Sequence, residues 1–92
     1  MIKTWNHKGL KLFFESGSTS GIQSKHSSRL RLQLGVLNAA IKPEDMNLPG
    51  WKFHELKGVK KDYFAVTVNR NWRLTFKFED HDAILVNYED YH

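Results

Sequence analysis

The sequence predicts an α+β fold, with two N-terminal helices packed on a mostly antiparallel sheet. Three observations lead there. Apolar residues recur at helical spacing before Pro43. After Trp51 they recur at every second position. Turn formers divide that second half into segments of strand length, so it reads as an antiparallel meander laid on the helices.

Each element follows in order. Met1–Trp5 is a short strand candidate leading into Gly9. Leu10, Phe13 and Phe14 stand at i, i+3 and i+4 and predict a short helix. Ser16-Gly17-Ser18-Thr19-Ser20-Gly21 is a loop, too short to link two domains. The clearest helix follows, with Ser27 or Ser28 as its cap. Leu30, Leu34, Leu37 and Ile41 form one apolar stripe, and Leu32, Val36 and Ala39 form a second on roughly the opposite side. A surface helix normally carries one apolar face. Two stripes predict a helix covered twice, by the sheet and by the first helix or a partner protein. Pro43 ends it.

Beyond Leu48-Pro49-Gly50, Trp51–Lys57 is a strand candidate. Phe64, Val66 and Val68 alternate with Ala65 and Thr67, and Asn69-Arg70-Asn71 turns the chain. Trp72, Leu74, Phe76 and Phe78 alternate with Arg73, Thr75, Lys77 and Glu79, a half-buried strand with a polar outer face. Glu79-Asp80-His81-Asp82 is the next turn, and Ala83–Tyr88 the last strand.

Residues 1–92 are expected to form a single domain. The chain has no cysteine, which excludes disulfides, thiol catalysis and thiolate metal sites. No apolar run reaches signal-peptide or membrane-span length, so a soluble cytoplasmic protein with no membrane partner is expected. The net charge of +4 is unevenly spread: residues 1–43 carry +6 and residues 52–77 carry +5, whereas the stretch from Glu79 onward carries −5. A basic body with an acidic end suits a polyanionic ligand bound by the body.

Alternation directs Arg73 to the sheet face opposite Trp72 and Leu74. Continued through the last strand, it groups Tyr88, Asp90 and His92 on one face and Glu89 and Tyr91 on the other. His54 and Lys57 lie on the strand that opens the meander. Imidazole, carboxylate, tyrosine, arginine and lysine together could cleave RNA, which carries its own nucleophile in the ribose 2′-hydroxyl. Histidine suits both proton transfers near neutral pH. Arginine and lysine suit the developing phosphate charge, and an aromatic ring suits an unstacked base. That chemistry requires no metal and no cofactor. No spacing of Asp90, His92 and His54 is diagnostic of metal ligation. His7, His26 and His81 read as ordinary surface or hydrogen-bonded histidines, and Tyr88 as packing.

The stretches Phe53-His54-Glu55-Leu56-Lys57-Gly58, Val68-Asn69-Arg70-Asn71-Trp72-Arg73-Leu74-Thr75-Phe76 and Asp90-Tyr91-His92 resemble the HigB branch of the RelE superfamily of bacterial toxins. Leu34-Gly35-Val36-Leu37-Asn38-Ala39-Ala40 resembles that family's second helix. The resemblance runs nearly end to end. It implies a microbial ribonuclease-like fold and a toxin of a type II toxin–antitoxin system. It implies an endoribonuclease that cuts mRNA in the ribosomal A site, and a HigA-type helix-turn-helix antitoxin through which operator DNA is bound. By position, His54, Asp90 and His92 become the acid–base group, Tyr91 the stacking or orienting residue, and Arg73 and Lys57 the phosphate stabilisers. Asp62 and Asn38 depart from the residues common in the family. The same superfamily holds ParE-type toxins, which share the fold and inhibit DNA gyrase without cleaving RNA. His54 and the Asp90-Tyr91-His92 ending favour the nuclease, because a gyrase inhibitor has no evident need of two imidazoles.

Overall fold

The computed structural model describes residues 1–91 of the chain, and His92 lies outside the described residues. Helix α1 (Lys8–Ser16) opens at His7, whose Nδ1 accepts the Leu10 N–H at 2.9 Å and satisfies one of the free donors of the first turn. It closes at Gly17, which adopts φ 82° and donates its N–H to the Phe13 carbonyl. Leu10 and Phe13 are its buried residues. The loop after it folds back until Gly21 touches Gly9. A Cβ on Gly9 would lie 2.5 Å from the Gly21 carbonyl oxygen, so neither position admits a side chain.

Helix α2 spans Ser27–Ala39 and is preceded by a 3₁₀ turn, Ser24–His26. The expected serine cap is therefore replaced: the turn leads directly into the helix, and His26 occupies the cap position, its side chain making no bond to the first-turn N–H groups. Leu30, Leu34 and Leu37 are fully buried, as their stripe predicts. Each is worth about 1.5–3 kcal/mol of burial. Ile41 does not complete the stripe. The helix stops at Ala39, and Ile41 is 59% exposed with its N–H bonded to the Asp45 carboxylate. Lys42 is extended, as a residue before proline must be, and Pro43 starts a separate 3₁₀ turn, Pro43–Met46. The second stripe is not covered by α1. Leu32 is 56% exposed and lines a shallow groove with Arg31, Gly35, Val36, Ala39 and Asp45.

The sheet has four antiparallel strands in the order β1 (His54–Glu55), β2 (Phe64–Asn69), β3 (Trp72–Glu79) and β4 (Asp82–Asp90). Strand β1 is much shorter than the expected Trp51–Lys57. Lys52 takes φ 52°, which breaks the extended run, and only His54 and Glu55 pair regularly with β2. The segment still follows β2, through Thr67 N–H to the Trp51 carbonyl and Leu56 N–H to the Tyr63 carbonyl. The N-terminal segment runs parallel to β4, bridging Ile2 to Ala83 and Trp5 to Val86. It covers much of what would otherwise be an open edge. The hydrophobic core joins Leu10, Phe13, Leu30, Leu34 and Leu37 of the helices to Val66, Leu74, Phe76, Val86 and Tyr88 of the sheet.

One polar cluster sits inside this core. The Tyr88 hydroxyl is 2.6 Å from His26 Nδ1, and His26 Nε2 is 3.3 Å from the Asn69 side-chain amide. With the Asn69 amide donating to Nε2, the ring is neutral and donates from Nδ1 to Tyr88. The Trp72 ring stacks on Tyr88 at 4.6 Å. Burial lowers the pKa of both His26 and His7 below the usual imidazole value of 6.5. The unfolded chain then binds more protons as pH falls, so this contribution is complete above about pH 6.5 and is lost as pH drops through the folded values. The melting temperature should hold steady between about pH 7 and 8 and decline between about pH 6.5 and 5, before carboxylates titrate. A flat profile to pH 5 in a thermal scan would contradict two neutral imidazoles in the fold.

Candidate active site

A bulge decides which face of the sheet receives each residue at the end of β4. From the turn, Glu79 pairs with Asp82, Phe78 with Ala83 and Lys77 with Ile84. Counted onward without interruption, Arg73 would face Tyr88. The register instead shifts between Thr75 and Lys77, where β4 carries an extra residue and Leu85 adopts φ 54°. Beyond it Arg73 faces Glu89, Leu74 faces Tyr88 and Trp72 faces Asp90. Tyr88 thereby enters the core at 3% exposure, and Glu89 joins Arg73 on the outer face.

The Arg73 guanidinium is held from two sides. Its Nε and Nη2 donate to Glu89 Oε2 at 2.9 and 2.7 Å. The Tyr91 ring centroid is 3.9 Å from Cζ, within cation–π range. Tyr91 is itself 57% exposed, and its N–H is bonded to the Asn71 carbonyl. Lys60 reaches Glu89 Oε1 at 3.7 Å. Lys60 and Lys77 both approach the Tyr63 ring, at 5.5 and 5.4 Å. Three cations, two tyrosines and one carboxylate therefore share a patch of the outer face. Phosphate recognition beside an exposed aromatic ring is within its chemistry.

The sequence-predicted residues are only partly brought together. Arg73 and Tyr91 touch. Asp90 shares the register position of Trp72, whose ring turns to the helix side against His26 and Tyr88. His54 is exposed on β1, at the other edge of the sheet from β4, with β2 and β3 between. It occupies the outer-face row that continues through Ala65, Thr75 and Asn87, adjacent to the row of Arg73. Its Nδ1 bonds to the Lys52 carbonyl at 2.9 Å; a carbonyl only accepts, so Nδ1 carries the proton and a neutral ring leaves Nε2 as the acceptor. Lys57 is exposed at the start of the Gly58–Lys60 turn and lines a hollow with Glu55, Leu56 and Lys61. His92 lies outside the described residues.

Four members of the patch, Lys60, Tyr63, Lys77 and Glu89, are absent from the sequence reading of the site. Lys77 was within reach, since it shares the Arg73 parity on β3. Glu89 was grouped with Tyr91 by alternation, but the missing register kept it from Arg73. Lys60 and Tyr63 come from an irregular segment with no periodicity to place it.

Comparison with known proteins adds an independent line. Residues 3–92 match the family model described as HigB-like toxin, the RelE-like toxin of type II toxin–antitoxin system HigB. The chain is 45% identical to Endoribonuclease HigB of Proteus vulgaris over 92 residues, spanning 100% of both chains. It is 30% identical over 86 residues to Toxin HigB-1 of Vibrio cholerae serotype O1, covering 91% of this chain and 90% of that relative.

Proposed function

Because this chain belongs to the HigB-like family of RelE-like toxins of type II toxin–antitoxin systems, we propose that it is the endoribonuclease toxin of such a pair, a single domain acting in the cytoplasm. Its substrate is mRNA in the ribosomal A site, and its partner is a HigA-type helix-turn-helix antitoxin that connects it to operator DNA. No helix among the described residues is long and apolar enough to cross a membrane. The observation that carries the reading is the outer-face patch, with Arg73 fixed between Glu89 and Tyr91.

In the proposed reaction the 2′-hydroxyl oxygen attacks the adjacent phosphorus. The O2′–P bond forms, the P–O5′ bond breaks, and the products are a cyclic phosphate and a 5′-hydroxyl. One proton leaves O2′ and one reaches O5′, with His54, Asp90 and His92 as the transferring group. A bare Nε2 fits His54 to the first step, and the Lys52 carbonyl keeps the ring from turning. Arg73 and Lys57 take the charge that builds on the non-bridging phosphate oxygens. Tyr91 stacks a base on the ring face that Arg73 leaves open. The protein's own groups suffice for every step, and the mechanism is metal-independent.

The test is to map new 5′ ends on translated mRNA after brief expression. Cuts should fall at codons entering the A site and carry a 5′-hydroxyl. Intact mRNA together with a DNA-damage response would replace this reading with gyrase inhibition.

A further inference from the structure

We propose that Glu89 is a positioning residue that fixes Arg73 for the scissile phosphate. The proposal rests on the reading of Arg73 as phosphate stabiliser. The plain alternative is a surface ion pair, and exposed pairs contribute little. This pair differs from that case. The Arg73 side chain is 13% exposed and that of Glu89 24%. A guanidinium has five N–H donors in one plane. Glu89 takes two of them along one edge, and Tyr91 covers one face. The group can then turn neither in its plane nor out of it, and its remaining edge points in one direction.

This arrangement has a distinctive cost. Glu89 places a negative charge beside a group meant to bind phosphate. Lys60, 3.7 Å from the other carboxylate oxygen, offsets only part of the repulsion. Glu89 therefore improves geometry while weakening attraction. Its removal should have opposite effects on the two kinetic parameters: RNA binds more tightly, and the bound RNA is cut more slowly. A residue that merely stabilises the fold has no reason to tighten binding when removed.

The experiment measures single-turnover cleavage on mRNA-programmed ribosomes, as a rate at saturation and a half-saturating toxin concentration. Glu89→Ala should lose about 10–10²-fold in rate, in line with the cost of a misplaced group, while its half-saturating concentration falls. Glu89→Gln keeps the side-chain volume and one acceptor oxygen, so its rate should lie between wild type and Glu89→Ala, again with tighter binding. Arg73→Ala should lose about 10²–10³-fold, and adding Glu89→Ala should lower the rate no further. Wild-type rates in both Glu89 variants, or losses that multiply in the double variant, overturn the proposal. Should Glu89→Ala not fold, the glutamine variant decides, and unchanged rate and affinity there overturn it. Full activity in Arg73→Ala instead removes the phosphate assignment itself, a failure distinct from an independent Glu89.

Discussion

An mRNA carrying a single 2′-deoxyribose at the scissile nucleotide should not be cut on the ribosome, while the same message in all-ribose form is cut at once. The physical reason is the origin of the nucleophile. The patch supplies cations and rings that suit phosphate and base, the chain has no cysteine, and the ribose 2′-hydroxyl already lies next to the scissile phosphorus. In the proposed mechanism the attacking oxygen therefore comes from the RNA. Removing it deletes the reaction rather than slowing a step, so the loss should reach the detection limit. Chelation by EDTA, at levels that leave ribosomes intact, should change the rate by less than a factor of about two. Undiminished cutting of the deoxy message would mean that water or a protein group attacks instead.

The second large effect concerns Tyr91 and His92. On the proposed assignment of His92 to the acid–base group, His92→Ala should cost about 10²–10⁴-fold in cleavage rate, the usual effect of removing a general acid or base. That corresponds to about 3–5 kcal/mol of barrier. Its melting temperature should match wild type. His92→Gln should not recover activity, because an amide hydrogen-bonds but does not transfer a proton near neutral pH. Deleting Tyr91 and His92 together should also remove toxicity. Its effect on stability should be small, because Tyr91 is largely exposed and supports the fold through one backbone hydrogen bond and its contact with Arg73. Those interactions are worth about 1 kcal/mol each. A truncated protein that folds and still arrests growth at wild-type rates would show these residues to be dispensable, leaving His54 and Arg73 to carry the chemistry.

Much of the fold was legible because it depends on local spacing. Leu30, Leu34 and Leu37 recur at a period only a helix satisfies, and the alternation from Trp72 to Glu79 is one only a strand satisfies. The four-residue turn at Glu79–Asp82 was equally plain. What failed was tied to single backbone angles. Lys52 turns to positive φ and cuts β1 to two residues, which no side-chain pattern announces. Pro43 predicts the end of α2, but the chain leaves the helix at Ala40.

The same division runs through the site. By itself the sequence determined the fold class, the polar parity of Arg73, and the grouping of Glu89 with Tyr91 against Tyr88 with Asp90. Those follow from the helical period of 3.6 and the strand period of two, which need only local geometry. The tertiary structure alone decided which group faces Arg73. One extra residue at Leu85 shifts the register of β4 against β3, and a shift of one exchanges the faces of everything beyond it. The core then holds the outcome in place. Tyr88 fills a buried position against His26 and Trp72, so the opposite register would bring Glu89 into an apolar interior and leave Arg73 without its carboxylate.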